Sequence, residues 1–514
     1  MQRLINSVES GEVLELDGET VPAKAIRDLL RAGSADPRGV RIRGAVIEGQ
    51  LDLTDLHSTV PLVLQDCRFT EPLLLTRAEL PHLDLTGSTV PGISAVGFRC
   101  AHGAQLDKIR CTARIDLANA RFGGTVSFSG ATLSGGEHSA LNLAGAEIDG
   151  ILRLGPEFDA SSTSEAATIL APWAVVSGQV WLTTGKIENQ RGPCFVGELL
   201  VAKGGFGIDD FTMESASGLA ALRMENATCN FVNLARSRIT NSRGPAININ
   251  NNTISGELLI WGSTLEGRSP QSAMLLRGIA AHSLSMNTLT STNLDPDGVA
   301  LDLTETRISH VVRFSLGSCE LTPRLVKLAG FSYPAVPQGA GLDDWMDLLR
   351  TGMPKYRARP YQQLAAVYRA VGHEQDAKRI LIAQQTDLRR RGDIGGPIRQ
   401  ALHWLSGVLI GYGHRPWRAL ICLLAVLALA GGVAFTGHAV HPRTTDRCTT
   451  VERVGLAADI AIPLVNAGNK GRCELAAVSP PDQAALGAAY LLQILGWAFA
   501  TLFVAGYTGM VRKT

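Results

Sequence analysis

Residues 51–80 read "LDLTDLHSTVPLVLQDCRFTEPLLLTRAEL", and their inward-type residues recur at steps of two, three, two and four. Leu51, Leu53, Leu56 and Ser58 complete one period of eleven residues, and the next period starts at Leu62. An α-helix would need an unbroken spacing near 3.6 residues, which this pattern does not keep. Alternating pairs separated by bends predict very short β-strands joined by corners.

The same spacing returns far along the chain, starting at Leu141, Ile247 and Leu301. Strands this short cannot bury a face alone, so successive turns must stack on one another. We therefore predict a mainly β protein, with a parallel β-helix over 40–335 and coils of about 22 residues. Stretches near 156–176 and 188–221 break the spacing and are expected to be loops or irregular coils. The predicted solenoid core comprises Leu51, Leu53, Leu62, Leu64, Leu141, Leu143, Ile249, Ile254, Leu301 and Leu303.

Four short segments resemble the repeating units of pentapeptide-repeat proteins. They are "LDLTDL" at 51–56, "IDLANARF" at 115–122, "LNLAGAEI" at 141–148 and "LDLTETRI" at 301–308. The resemblance implies a right-handed, quadrilateral β-helix. The spacing here is eleven residues rather than two fives, so the match is to the architecture more than to the unit.

The whole chain resembles a family of actinobacterial membrane proteins that carry a pentapeptide-like β-helix. The resemblance lies in the opening "GEVLELDGETVPAKAIRDLLRAG" and "RGVRIRGAVIEGQLDL", and in the closing "ILGWAFATLFVAGYTGMVRK". Members are often labelled membrane-associated oxidoreductases. The label implies a bound redox group but supplies no catalytic residue to transfer to this chain.

Helical segments are expected at both ends of the solenoid, because an uncovered last coil would expose unpaired strand edges. Residues 1–39 are predicted to form an N-terminal helical cap, with a helix over 21–33. Residues 340–395 are predicted to form one helical hairpin with tetratricopeptide-like spacing. It serves as a cap or, alternatively, as a protein-binding module. Its marker residues are Tyr361, Leu364, Ala365, Tyr368, Gly372 in the turn, Ala377 and Leu381.

Two apolar stretches near the C-terminus are long enough to cross a bilayer. We predict transmembrane helices over 417–437 and 484–510, preceded by an interfacial helix over 397–413. Lysine and arginine cluster before the first span and after the second, which favours cytoplasmic termini and a cytoplasmic β-helix. Residues 438–483 then form an extracytoplasmic loop in which 454–469 is expected to lie as a helix on the membrane surface. A pore helix of a two-span channel is the alternative for that segment.

Cys448 and Cys473 lie in this loop, where the predicted orientation places them in an oxidising compartment. A disulfide between them is the favoured interpretation. Two unpaired thiols or a redox-active pair remain as alternatives.

The sequence contains no recognisable catalytic constellation. Phosphate-binding, dinucleotide-binding, metalloprotease and serine-hydrolase motifs are all missing from the 514 residues. His438 and His441 have HxxH spacing but no third ligand at a defined distance. The aspartates between the core leucines are expected to point into solvent. They are Asp52, Asp84, Asp116 and Asp302. No cofactor, metal or catalytic residue is assigned.

Composition narrows the functional classes further. The chain is 45% hydrophobic but only 5% aromatic, which suits a thin repetitive scaffold. Its formal net charge of +1 gives no basis for nucleic-acid binding. We predict a two-pass bacterial plasma-membrane protein, a scaffold whose solenoid surface binds another protein. Self-association is left open. The alternatives are the oxidoreductase of the family label and an oligomeric two-span channel.

Overall fold

The computed structural model describes residues 2–32, 35–392, 395–413, 417–435, 440–442, 448–462, 473–475 and 479–511. They form two compact units, one ending at Tyr368 and the other beginning at Arg369. The first unit is a parallel β-solenoid of about twelve coils with helices at both ends. The second is mainly helical. The predicted fold class is therefore confirmed.

A typical coil contains four short strands, so the solenoid has four faces, numbered here in the order in which the chain visits them. Face 1 is an eleven-stranded sheet of Leu73–Leu74, Ile93–Ser94, Ile115–Asp116, Leu141–Asn142, Ile169–Leu170, Phe195–Val196, Leu222–Arg223, Ile247–Asn248, Ser272–Leu275, Val299–Asp302 and Val326–Lys327. Face 2 is formed by Glu79–Leu80, Arg99–Cys100, Arg121–Phe122, Glu147–Ile148, Val175–Val176, Val201–Ala202 and Thr228–Cys229.

The remaining strands complete the other two faces. Face 3 is formed by Leu14–Glu15, Val40–Arg43, Leu62–Gln65, Leu83–Asp84, Ala104–Gln105, Val126–Ser127, Leu152–Leu154 and Val232–Ala235. Face 4 is formed by Thr20–Pro22, Val46–Glu48, Arg68–Phe69, Thr89–Val90, Arg110–Cys111, Thr132–Ser134, Phe158–Ser162, Arg238–Asn241, Thr264–Gly267, Thr290–Asn293 and Glu320–Thr322. Longer strands continue across a corner: Gln179–Asn189 and Gly205–Ser215 join faces 3 and 4, while Thr253–Trp261, Ala280–Asn287 and Arg307–Phe314 join faces 2 and 3.

The interior contains the alternating residues that the sequence pattern selected. All ten predicted core positions, from Leu51 to Leu303, have at most 1% of their surface exposed. Leu56 and Ser58, by contrast, are only half-buried. Burying one such side chain contributes about 1.5–3 kcal/mol, so the stack of coils is held mainly by this apolar column.

The coils lengthen along the solenoid. Ile93 pairs with Leu73, 20 residues earlier, and with Ile115, 22 residues later. Beyond Ile115 the partner on face 1 lies 25–28 residues away, as for Leu141 and Ile169. The expected coil length of 22 therefore holds only for the first turns.

The two stretches expected to be loops or irregular coils are regular coils. Strands Phe158–Ser162 and Gln179–Asn189 pair in register, and Gln179–Asn189 pairs over nearly its whole length with Gly205–Ser215. The extra residues lengthen face 4 and the turn after it. That prediction was wrong because added residues change the spacing along the sequence without breaking the stacking.

Buried asparagines organise the turn after face 4 in the longer coils. Asn189, Asn241 and Asn293 follow one another at intervals of 52 residues, one in every second coil, and each is at most 5% exposed. The amide of Asn241 donates to the carbonyls of Leu219 (2.6 Å) and Pro245 (2.8 Å). These bonds satisfy carbonyls of the turn, of which Pro245 O also accepts from the backbone N–H of Ala221 at 3.2 Å.

Twelve residues with positive φ, one in each coil, form the corner between faces 1 and 2. They are Asp55, Arg77, Gly97, Asn119, Gly145, Trp173, Leu199, Asn226, Asn251, Gly278, Glu305 and Gly330. Each of the first eleven donates its backbone N–H to the coil that follows, as Gly145 does to Pro172 O at 2.9 Å. The corner thus fixes the stacking register as well as the bend.

Helices cover both ends of the solenoid unit. At the N-terminus, helix α1 (Gln2–Ser10) precedes α2 (Ala23–Ala32), which lies within the predicted 21–33. The predicted cap of 1–39 also contains the first strands of the stack, Leu14–Glu15 and Thr20–Pro22. At the other end, α3 (Leu342–Thr351) places the Trp345 ring 6.0 Å from that of Phe314.

The predicted hairpin region contains three helices rather than two. After α3, helices α4 (Ala358–Ala370) and α5 (Glu374–Arg391) follow with Gly372 between them at φ +85°. Of the marker residues, Tyr361, Leu364, Ala365, Tyr368 and Ala377 are buried. Leu381 is only half-buried, and the core position on α5 is Ile380 at 0% exposure.

The second unit continues with α6 (Pro397–Ile410), a short 3-10 turn (Gly411–Gly413), α7 (Trp417–Phe435), α8 (Thr450–Ala461) and α9 (Pro480–Val511). Strands Val440–Pro442 and Cys473–Leu475 pair antiparallel. Helix α7 and residues 480–505 of α9 are long and apolar enough to cross a membrane. The last two residues of the first predicted span, 436–437, and His438 lie outside the described residues.

Candidate functional surfaces

The described residues offer no metal-binding cluster of three or more histidine, cysteine or acidic side chains. Most thiols of the solenoid are buried. Burial raises the pKa of Cys67 and of Cys111 to about 11, so both remain protonated thiols at neutral pH. Five of the seven free cysteines are fully buried. They pack as small apolar residues.

The aspartates between the core leucines close the corner after their own strand, which is on face 1 for Asp52, Asp116 and Asp302 and on face 3 for Asp84. In Asp84, Oδ1 accepts from the backbone N–H and hydroxyl of Thr86 at 2.9 and 2.6 Å. Asp302 makes the same pair of bonds to Thr304. Asp52 and Asp116 are half-buried, whereas Asp84 and Asp302 are 5% and 0% exposed. The expectation of solvated carboxylates was therefore wrong for those two, because side chains of neighbouring coils also contact them. Gln65 donates to Asp84 Oδ2 at 2.8 Å, and Arg277 Nε lies 2.9 Å from Asp302 Oδ2.

Two bulky apolar side chains occupy the corner column where the chain needs positive φ. Trp173 and Leu199, both at φ +56°, lie in consecutive coils and are 60% and 47% exposed. Trp173 donates its backbone N–H to Glu198 O at 2.9 Å, and Leu199 donates to Glu225 O at 2.9 Å. The left-handed conformation costs a non-glycine residue about 1–2 kcal/mol. The other ten positions of the column hold glycine, asparagine or a charged residue.

A fixed charged network adjoins this corner on face 1. The guanidinium of Arg223 contacts Glu198 at 2.7 Å and Glu225 at 3.1 Å, and Glu225 also accepts a hydrogen bond from Asn248. The three charged side chains are only 24–32% exposed, so their positions are restricted. We call Trp173, Leu199, Glu198, Arg223 and Glu225 the corner patch. Exposed aromatic and apolar side chains beside an ordered polar rim are typical of protein-binding surfaces.

In the second unit, helix α8 packs between α7 and α9. Leu456, Ala457 and Ile460 of α8 share a buried cluster with Val426 and Ala430 of α7 and with Ala489 and Leu492 of α9. A Cβ on Gly496 would overlap the carbonyl oxygen of Ala461, so this glycine permits the close approach of α8 to α9. The described part of the expected surface helix, 454–462, is therefore buried along one side, and 463–469 lie outside the described residues. Its amphipathic pattern cannot distinguish packing against protein from lying on lipid.

The start of α8 is fixed by two local features. Thr449 and Glu452 form a reciprocal capping box at its N-terminus. The sulfur atoms of Cys448 and Cys473 are bonded to each other, which joins the start of α8 to the strand Cys473–Leu475. The disulfide interpretation of these two cysteines thus agrees with the structure.

Comparison with known proteins found no match: no family model, curated protein or solved structure matches the chain.

Proposed function

We propose that this protein is a membrane-anchored scaffold whose β-solenoid binds another protein at the corner patch. The observation that carries the proposal is the pair Trp173 and Leu199, which places two exposed apolar side chains at strained backbone positions in consecutive coils. Strain of this kind persists where the rest of the structure over-determines it, and it is concentrated at functional sites. The solenoid supplies the rigidity that a binding surface needs.

The anchor in this proposal is the helical unit. Large apolar side chains of α7 and α9 are exposed, including Leu424 at 55%, Leu429 at 61% and Ile494 at 66%. Side chains of this kind on long apolar helices are expected to contact lipid. The charge asymmetry of the sequence favours a cytoplasmic solenoid.

The chemistry of the corner patch defines the expected partner. Glu198 and Glu225 outnumber Arg223, so the rim carries one net negative charge beside the apolar pair. The matching partner is a protein segment with an apolar side chain flanked by lysine or arginine.

Photo-cross-linking in intact cells tests the proposal. A benzophenone amino acid at position 173 is expected to form one discrete adduct, and Leu199→Ser is expected to reduce its yield at least tenfold. The matched control is the same probe at Arg77, which occupies the same corner column at φ +54° and is exposed. The protein in the adduct should bind the purified full-length chain and lose affinity for Leu199→Ser. Identical adducts from both positions, or none from position 173, would contradict the proposal.

The packing of α8 favours a second candidate, an oligomeric channel. A helix of 12 residues is about 18 Å long, roughly half of a 30 Å hydrocarbon layer. It contacts Val426 and Leu492, which lie near the middle of the two apolar helices. The end of α8 would then place carbonyl groups with partial negative charge at mid-membrane, an arrangement that suits a cation. One copy cannot enclose a pore, so copies of the chain would have to assemble.

Ion flux distinguishes the two candidates. A channel predicts potassium efflux from liposomes that contain only this protein, and Gly496→Leu should abolish the flux by displacing α8. Gly487→Leu is the control, since a Cβ at Gly487 meets no atom within 4 Å. Liposomes that remain tight with correctly inserted protein exclude the channel and leave the scaffold.

A further inference from the structure

A cleft of about 370 Å³ lies at the C-terminal end of the solenoid unit. One wall is the last strand of face 1, Val326–Lys327, with the adjoining Leu328 and Ala329. The other is the segment Met353–Arg357 between α3 and α4. Val326 donates its backbone N–H to Gly352 O at 2.6 Å, which holds the two walls together. The cleft is therefore a built feature of the fold and not a gap between mobile parts.

Four basic side chains line this cleft: Arg277, Lys327, Lys355 and Arg357. We call it the basic cleft. Arg277 and Lys327 come from the coils on either side of the coil that contains Asp302, and both approach its buried carboxylate. The distances to Oδ2 are 2.9 Å from Arg277 Nε and 3.9 Å from Lys327 Nζ. Because Asp302 is fully buried and its Oδ1 is occupied by Thr304, it acts as a positioning residue for these two cations.

The other two cations have no such partner. Within the part of the chain that the structure describes, Lys355 and Arg357 are exposed and form no ion pair. Two carboxylates lie near the four cations: Asp302, and Glu305, which lies against Gly330. They reduce the net charge of the cleft from +4 to about +2. Helix α4 begins at Ala358, directly after Arg357, and has no acidic residue in its first turn, so its positive end adds to this potential.

The cleft also has an apolar part, formed by residues such as Val326, Met353 and Pro354. The volume of the cleft is in the range of small-molecule sites. In such sites the apolar lining holds an organic group and a few charged contacts fix its orientation.

We propose that the basic cleft binds a ligand carrying a phosphate group, with an apolar or sugar-like body against Met353 and Pro354. A phosphate monoester has a charge of −1.5 to −2 at pH 7, which matches the net charge of the cleft better than a single carboxylate does. Guanidinium groups bind phosphate oxygens in pairs, and lysines add point charges. A soluble phosphorylated molecule offers this monoester, whereas a phospholipid headgroup offers a phosphodiester, which has similar oxygen acceptors but a charge of −1. The inference does not depend on the corner patch.

The test uses the full-length chain in detergent micelles, with two arms that separate the sources. In the first, inorganic phosphate and glycerol 3-phosphate are titrated calorimetrically. In the second, native mass spectrometry counts retained phosphatidylglycerol against phosphatidylcholine. At least one arm is expected to show binding that weakens as sodium chloride is raised. Binding in the first arm alone identifies a soluble ligand, and binding in the second alone identifies a lipid headgroup.

The variant K355E/R357E is expected to weaken that binding at least tenfold, because it reverses two charges in an exposed segment. The matched control K203E/R238E reverses two exposed charges of other coils that form no ion pair among the described residues. Both variants should keep the wild-type circular dichroism spectrum and melting temperature. The proposal is overturned if neither arm shows binding, or if the control loses as much affinity as K355E/R357E.

Discussion

The indole ring of Trp181 covers Gly207 of the following coil. The two residues pair in register on face 3, and a Cβ placed on Gly207 would overlap the ring. The indole also packs edge-on against Phe231, with ring centroids 6.1 Å apart. The missing side chain at position 207 therefore allows a large aromatic ring to lie on the outside of the stack.

Gly207→Ala should lower the free energy of unfolding by about 1–3 kcal/mol, because the added methyl group must displace the ring or the backbone. Chemical denaturation of the full-length protein measures the change. Gly218→Ala is the control, since a Cβ there meets nothing within 4 Å. In the double variant W181A/G207A the cost of the alanine at 207 should largely disappear. Equal costs with and without the indole would refute the steric explanation.

Asn241→Ala should destabilise the protein by about 2 kcal/mol or more. The substitution removes the amide donor from the carbonyls of Leu219 and Pro245, and only Pro245 keeps another donor, the backbone N–H of Ala221. Asn287→Ala, at an exposed position, should change the stability by less than about 0.5 kcal/mol. Similar small effects at both sites would show that the buried amide is not what holds the turn.

Trp173→Asn should raise the free energy of unfolding by about 0.5–1 kcal/mol while reducing the affinity of the purified chain for the partner. Asparagine tolerates the left-handed conformation, and it already occupies this column at Asn119, Asn226 and Asn251. Leu294→Asn, at another exposed apolar position, serves as the comparison for the loss of surface hydrophobicity alone. A clear loss of stability in Trp173→Asn would mean that the tryptophan supports the fold rather than binding.

Stability should fall as the pH rises above about 8.5. Burial raises the pKa of Cys67 and Cys111 to about 11, whereas thiols of the unfolded chain ionise near 8.5. The unfolded state therefore loses protons first, and the stabilisation present below pH 8.5 is lost progressively up to about pH 11. Denaturation curves from pH 7 to 10 measure the slope, and Cys111→Ala should make it shallower. An unchanged slope in that variant would locate the pH dependence in other groups.

Cys448 and Cys473 should react with a membrane-impermeant maleimide on intact cells only after reduction. The bond between them blocks both thiols, and the proposed orientation exposes them outside. Mass tagging of a variant with the other seven cysteines changed to serine or alanine gives the number of labelled cysteines per chain. Labelling that requires permeabilised cells would reverse the orientation, and labelling without reductant would show that the bond is not formed in cells.

The sequence predicts the solenoid well because its period-two pairs report directly which side chains face inward. Leu143, Ile249 and Leu303 are assigned to the core by alternation alone, and all three are fully buried. The sequence predicts coil length less well. A longer strand such as Gln179–Asn189 changes the spacing of apolar residues along the sequence but still pairs with the next coil. The repeated N-x-R-G-P at Asn189 and Asn241 is the signal that could have identified the longer coils.

The candidate surfaces were largely beyond sequence reasoning. Exposure of Trp173 and Leu199 follows from a corner position that only the stacked coils define. Arg277 and Arg357 both line the basic cleft although they are far apart in the sequence. The stacking of the coils and the segment between α3 and α4 bring them together. Helix α8 shows the same limit, because one amphipathic pattern fits both a lipid surface and a groove between helices.

The recurrence of Asn189, Asn241 and Asn293 limits how the length of the solenoid can change. Two coils, and not one, form the smallest segment that can be duplicated or deleted without altering the turn chemistry. Each such event would lengthen or shorten the body by roughly 9–10 Å, twice the distance between neighbouring strands. The length of the solenoid can therefore change in evolution in steps of two coils.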